Sequence, residues 1–312
     1  MGFVEKIYKQ AKRAKKRILL PEGKEPRVLK AVDFILKHDI CVPVLIAGPD
    51  DYKNLDKYVS LYCEIRKHKN VKESDARRLI LENPVFYSAL AVRAGDADGF
   101  VAGASTTTRD VARAAIHCIG PAEGTKTISS SSIVILSDET LGSNGVLVYA
   151  DSGIIPDPTA EQLCDIAIAS AKMAQALLDD EPRVAMLSYS TKGSGGSGKS
   201  IEKVRQATKL VMEKEPDIVI DGEIQIDCAV VSSVAKRKDP DGKIKGKANV
   251  FIFPNLDAGN IAYKLTERLA KAHVIGPLLQ GLKKPASDLS RGCDSQDIVD
   301  AVAVTALRAQ EV

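Results

Sequence analysis

The sequence predicts an α/β protein with a mostly parallel sheet. Short apolar runs bounded by turn residues alternate with segments of helical periodicity along the whole chain, the pattern left when each strand is followed by a crossover helix. A length of 312 residues is enough for two domains of ordinary size, each with its own core. Hydrophobic content of 45% beside 27% charged residues matches a soluble globular chain.

The elements follow in order. Arg17–Leu20 reads as a strand, Arg27–Lys37 as a helix and Val42–Ala47 as a strand. Asp75–Ala94 reads as one helix ending at Gly95, with a strand at Gly99–Ala102. Asp110–Ile119 is helical and stops at Gly120-Pro121, where glycine permits the closing turn and proline cannot continue the helix. Thr127–Leu136 and Val146–Ala150 are strands, Thr159–Leu178 a helix, Arg183–Leu187 a strand and Ile201–Lys214 a helix. Asn249–Phe253 is a further strand. The chain then reaches a helix that starts at Asp294–Asp297 and runs through the amphipathic Val299–Ala309. No internal repeat or low-complexity linker interrupts the pattern.

Composition excludes several classes. No window approaches the roughly eighteen apolar residues of a membrane span. Met1 to Arg17 is basic but has no apolar core, so it is not a secretory signal and a cytoplasmic location is expected. Lys12 to Arg17 is the one dense basic cluster and reads as the solvated face of a first helix. Cys41, Cys63, Cys118, Cys164, Cys228 and Cys293 form no C-x-x-C pair and read as reduced thiols. Nor do His38, His68, His117 and His273 stand at metal-ligand spacing with them, so no metal is expected. With 4% aromatics, no Trp and a net charge of +3, nothing provides a stacking platform for nucleic acid.

Chemistry concentrates near the C-terminus. Asp288-Leu289-Ser290-Arg291-Gly292-Cys293, followed by Asp294 and Asp297, offers a hydroxyl, a guanidinium, a thiol and carboxylates within a few residues. Arginine grips phosphate through two parallel hydrogen bonds, and Gly292 lets backbone approach a ligand. This run, with Ile275–Pro285 before it, resembles the C-terminal signature of the phosphate acetyl/butyryltransferase family, and within it the phosphotransacetylases. Leu19–Gly23, Ala97–Ala104, Pro158–Leu163, Ser190–Ser194 and Asp221–Glu223 resemble the family in the same order. The likeness therefore covers essentially the whole chain.

The resemblance implies two three-layer α/β domains with mostly parallel sheets facing a central cleft, similar to isocitrate and isopropylmalate dehydrogenases. Domain I is expected over 1–124 plus 277–312, and domain II over 125–276, with the active site in the cleft. It implies reversible acetyl transfer between acetyl phosphate and coenzyme A, with no bound cofactor and CoA as a substrate. Acetyl phosphate, CoA and phosphate are the expected partners, without nucleic acid or membrane, and a homodimer is expected. By match to the motif, Asp297 is the base for the CoA thiol, Ser290 the donor to the developing oxyanion and Arg291 the neutraliser of the phosphoryl group. An ordinary Asp, with a pKa of about 3.9, is a feeble acceptor from a thiol of about 8.5, so the role requires burial or concerted transfer. Asp297 also reads as an acid at a helix start, favoured there by the macrodipole. Arg113 and Arg66 are assigned to phosphate or CoA, and Thr106 and Thr107 to phosphate at a helix start. Lys192, Gly193 and Ser194 belong to a cleft loop that contacts substrate. Gly292 and Cys293 line the same site, Cys293 as a packed residue and not an acyl-carrying thiol.

Two rivals remain. The first is a sister activity, phosphate butyryltransferase. The second is a P-loop NTPase, because Gly193–Ser200 fits G-x-x-x-x-G-K-[ST] between an apolar strand and a helix, and Asp221 ends a following apolar run. The loose strand-to-loop junction at Tyr189–Lys192 counts against it, and Ser190–Ser194 already belongs to the family pattern. Arg109, Ser152 and Asn255 depart from residues usual in the family without removing any member of the proposed site.

Overall fold

Strand and helix alternate throughout the computed structural model, which describes residues 2–310. The chain divides into two compact units, Met1–Gly124 with Gly276–Val312, and Thr125–Ile275.

Unit 1 starts with α1 (Phe3–Ala11), which buries Ile7 and Ala11. The basic run that the sequence placed on a helix face instead forms the exposed turn after α1, with Lys15 at positive φ, before β1 (Arg17–Leu20). α2 (Pro26–Lys37) has proline at its first position, where the missing N–H costs nothing. β2 (Val42–Leu45) and α3 (Leu55–Ile65) follow. The single helix expected over 75–94 is two helices, α4 (Glu73–Glu82) and α5 (Pro84–Arg93). Pro84 pushes Asn83 into an extended conformation, and the Asn83 side chain then caps α5 by accepting from the Val85 N–H. β3 (Gly99–Ala102) is buried along its whole length, and α6 (Thr108–Ala114) widens into a π-helical turn that stops at Gly120.

Unit 2 contains β4 (Ser129–Ile135), β5 (Val146–Ala150), α7 (Ala160–Leu177), β6 (Arg183–Leu187) and α8 (Lys199–Lys214). β7 (Val219–Ile224), α9 (Ile226–Val230), α10 (Ser232–Lys238), β8 (Val250–Ile252) and α11 (Leu256–Leu269) complete it. The strand order is β4-β5-β8-β6-β7, parallel except for β4 against β5. Val134, Leu147, Tyr149, Phe251 and Phe253 lie in its core.

The chain then returns to unit 1 through β9 (His273–Gln280), β10 (Ala286–Asp288) and α12 (Ser295–Arg308). β10 inserts beside β3 in parallel register, Asp288 opposite Ala102, giving the order β2-β1-β3-β10-β9. Only β9 against β10 is antiparallel there. α12 is buried from Ile298 to Leu307, so the returning segment supplies core as well as chemistry. The α/β class and mostly parallel pairing expected from the sequence are borne out.

Candidate functional site

β1, β3 and β10 are parallel neighbours, so the loops leaving their carboxyl ends start side by side. In open α/β sheets that rim is where ligands bind. The loop after β10 is the Ser290–Cys293 turn. The Gly292 N–H donates to Ser290 Oγ (3.2 Å) and the Cys293 N–H to the Ser290 carbonyl (2.9 Å), which leaves the hydroxyl hydrogen of Ser290 for another acceptor. Ser290, Arg291 and Gly292 are exposed, and the Arg291 guanidinium has no ion-pair partner among the described residues.

Asp297 sits in the first turn of α12. Asp294 caps that helix by accepting from the N–H groups of Gln296 (2.7 Å) and Asp297 (3.0 Å), and Asp297 Oδ2 accepts in return from the Asp294 N–H (2.9 Å). This reciprocal box fixes the carboxylate beside the Ser290–Cys293 turn. Cys293 is 7% exposed. Burial pushes its thiol up to about 11 while Arg27 pulls it down, so it is a neutral thiol at pH 7 and a poor nucleophile.

The loop after β3, Gly103–Thr107, holds a residue that sequence reasoning passed over. The Glu22 carboxylate, from the loop after β1, accepts from the N–H groups of Gly103 (3.0 Å), Ala104 (2.8 Å), Ser105 (2.9 Å) and Thr106 (2.7 Å). The donors expected to greet phosphate at Thr106 thus hold a protein carboxylate. Thr107 caps α6: its hydroxyl accepts from the Asp110 N–H (3.2 Å) and donates to the Asp110 carboxylate (2.8 Å). Gly103 lies at φ +117°, and a Cβ there would strike Asp288 Oδ1 and the Leu289 backbone.

Asp288 is the second, present in the C-terminal run but given no role there. It is 0% exposed, and neither carboxyl oxygen completes a hydrogen bond among the described residues. Burial pushes it up to about 7; the Thr108 hydroxyl and Leu289 N–H lie close enough to draw it down, and the charge of Glu22 raises it. Arg27 is the third, its guanidinium bonded to carbonyls of both loops. Their roles depend on contacts far apart in sequence, which no local motif displays.

Arg66 and Arg113 also come together in unit 1. Arg113 pairs with Asp110 (3.1 Å) and lies over the Phe86 ring. Arg66 Nε and His117 Nδ1 are buried without hydrogen-bond partners among the described residues. Burial, then the charges of Arg66 and Arg113, hold the His117 imidazole below its ordinary range, so the ring is neutral at pH 7.

In unit 2, Lys192 is ion-paired with the buried Asp221 and lies 3.8 Å from Asp239. The Gly193 N–H donates to Glu223 Oε1 (2.8 Å), and Ser194 Oγ accepts from the Thr191 N–H (2.9 Å). Burial opposes ionisation of Glu223. The Arg205 guanidinium, the Gly193 N–H and the Ser190 hydroxyl outweigh it and hold the carboxylate at about 2. Within the P-loop-like run, four amides are therefore taken internally: Gly193 by Glu223, Ser194 by the Thr191 carbonyl (3.0 Å), Gly195 by Ser190 Oγ (2.9 Å) and Gly196 by the Gly193 carbonyl (3.0 Å). Lys199 and Ser200 stand exposed at the start of α8. Among the described residues no group of three or more His, Cys, Asp or Glu is placed to hold a metal ion.

A sequence profile described as Phosphate acetyl/butaryl transferase matches residues 2–306. The phosphate acetyltransferase of Thermoanaerobacterium thermosaccharolyticum is 44% identical, covering 99% of this chain and 100% of its own. That of Acetivibrio thermocellus is also 44% identical, over 100% of this chain and 99% of its own. A phosphotransacetylase structure from Streptococcus pyogenes matches with a TM-score of 0.92 at 33% identity, covering 99% of this chain and 98% of that one. One from Staphylococcus aureus matches with a TM-score of 0.85 at 34% identity, covering 98% and 99%. The ordered motifs, the rim of β1, β3 and β10 and these full-length likenesses agree: the chain belongs to the phosphate acetyl/butyryltransferase family of acyl-transferring enzymes.

Proposed function

We propose that this protein is a phosphate acetyltransferase, transferring acetyl reversibly between acetyl phosphate and CoA. The observation that carries the reading is the turn entering α12, which carries Ser290 and Arg291 immediately before Asp297 in the helix's first turn, in a chain similar over its whole length to phosphate acetyltransferases. CoA thiol gives its proton to Asp297 as sulfur attacks the acetyl carbonyl carbon. The oxyanion accepts from the Ser290 O–H, a kind of contact worth about 3 kcal/mol in kcat. The bond from the acetyl carbon to the bridging oxygen then breaks, and Arg291 takes the charge of departing phosphate through its fork. The guanidiniums of Arg66 and Arg113, whose charges both reach His117, suit the phosphates of CoA, and the thiol of Cys293 stays a wall residue.

Thioester formation from CoA with acetyl phosphate and butyryl phosphate, beside ATP hydrolysis, tests the reading. Fast turnover of acetyl phosphate alone supports it, and preference for butyryl phosphate moves the protein to the sister activity. ATP hydrolysis without acyl transfer would overturn it. Asp297→Asn is expected to collapse kcat with a modest change in KM, and Arg291→Ala to impair substrate use severely. We also propose a cytoplasmic homodimer. An exposed apolar stripe on α11, Ile261, Leu265 and Leu269, supports association, and no helix among the described residues is long and apolar enough to cross a membrane. Sedimentation of the purified protein measures the oligomeric state.

A further inference from the structure

We propose that Arg27 is a positioning residue for acyl transfer, the clasp that sets the Ser290–Cys293 turn against the Gly103–Thr106 loop; this rests on the reading of Ser290 and Arg291 above. Arg27 stands at the start of α2. Nη1 donates to the carbonyls of Arg291 (2.9 Å) and Cys293 (2.8 Å), with Cys293 Sγ at 3.8 Å. Nη2 donates to the Ala104 carbonyl (2.7 Å), and Nε pairs with Glu25 (2.8 Å). One guanidinium therefore joins loops that leave β3 and β10 and anchors them to the segment after β1.

Two details separate positioning from substrate binding. The fork is nearly filled by protein acceptors, and Glu25 offsets its charge, so little is left to grip a phosphate. The two carbonyls that Nη1 holds flank Gly292, a residue with no side chain to brace the turn. Releasing them frees the backbone that aims the Ser290 hydroxyl and the Arg291 side chain. Glu22 complements the clasp on the same loop: it takes the N–H groups of Gly103–Thr106, while Arg27 takes the carbonyl of Ala104. A lysine cannot reproduce this, because an ammonium on a flexible stem has no planar fork to span three carbonyls.

The test compares Arg27→Met, Arg27→Lys and, as a control on the site reading, Arg291→Ala, each in the full chain with acetyl phosphate and CoA. Loosening of about an ångström in a catalytic turn costs on the order of a hundredfold, so kcat of Arg27→Met is expected to fall by about that factor. KM for both substrates is expected to stay within about threefold, because uniform binding is untouched. Added guanidinium ion, which can occupy the vacated slot, is expected to recover kcat in Arg27→Met and to leave the wild type unchanged. Arg27→Lys covers the case where the methionine variant does not fold, and it too is expected to lose kcat. Normal kcat in a folded Arg27 variant, with Arg291→Ala inactive, would overturn the clasp and leave the site reading standing. A loss that tracks a lowered Tm and does not respond to guanidinium would also overturn it, as plain structural damage. Full activity of Arg291→Ala would bring down the site reading itself.

Discussion

Replacing Asp288 by Asn is expected to change stability in a way that depends on pH. The carboxyl is 0% exposed, completes no hydrogen bond among the described residues and is pushed by burial up to about 7. In the unfolded chain an Asp titrates near 3.8. Between those values the native protein keeps a proton that the unfolded chain has released. Unit 1 therefore loses stability as pH rises through the window, and the loss is complete above about pH 7. A span of about three on the pH scale, at about 1.4 kcal/mol per unit, gives on the order of 4 kcal/mol at about pH 8, of which less than half is already present at about pH 5. Asn matches the shape of the neutral acid and does not titrate. The stability of Asp288→Asn relative to wild type is thus expected to rise by roughly 2–3 kcal/mol between about pH 5 and pH 8. Denaturant unfolding of both proteins across that range measures it. A difference that does not change with pH, or one that falls as pH rises, would refute the reasoning, because the charged form would then have a stabilising partner.

Glu22→Gln turns one acceptor oxygen into a donor facing loop N–H groups; Glu22 is only partly buried, so we expect a loss of ~2–3 kcal/mol and a Tm lower by roughly 5–10 °C, read by thermal unfolding. An unchanged Tm would mean that water serves those amides equally well. Glu223 ionises well below the usual range, so it stabilises unit 2 above about pH 4.5, and this contribution fades as pH falls toward about 2. Glu223→Gln is accordingly expected to unfold at lower temperature than wild type at neutral pH, with the gap closing in acid; a gap that persists in acid would contradict this.

Much of the fold was legible because its signals are local. β1, β3, β5 and β6 lie where short apolar runs between turn residues placed them. α7 begins at Thr159, whose hydroxyl and the Gln162 side chain form the capping box. The Asn83-Pro84 break was written in the sequence, and helical periodicity on both sides hid it. α11 was hidden by Gly259 and Asn260, which suggest a turn. Gly259 is there because any Cβ would strike the Asp151 carbonyl, a contact from more than a hundred residues away. β9 contains Gly276-Pro277, which disguises a strand. At the candidate site, Ser290, Arg291 and Asp297 were legible as candidates because they share one short stretch that resembles the family's C-terminal signature. Glu22, Arg27 and Asp288 were not, because a glutamate, an arginine and an aspartate acquire meaning only when β1, β3 and β10 are set side by side.

The return of the chain to unit 1 also sets an order of events during synthesis. β3 is made early, yet its partner β10 comes only after the whole of unit 2 has been translated. At ribosomal speeds that delay is on the order of ten seconds, long enough for unit 2 to fold as a body of its own. Throughout that time the apolar edge of Gly99–Ala102 lacks its native neighbour and is open to wrong pairing. The turn that carries Ser290 and Arg291 arrives with the strand that closes this edge. The candidate site therefore forms only as the first core is being completed by β10 and α12, and a nascent chain halted before residue 286 lacks both.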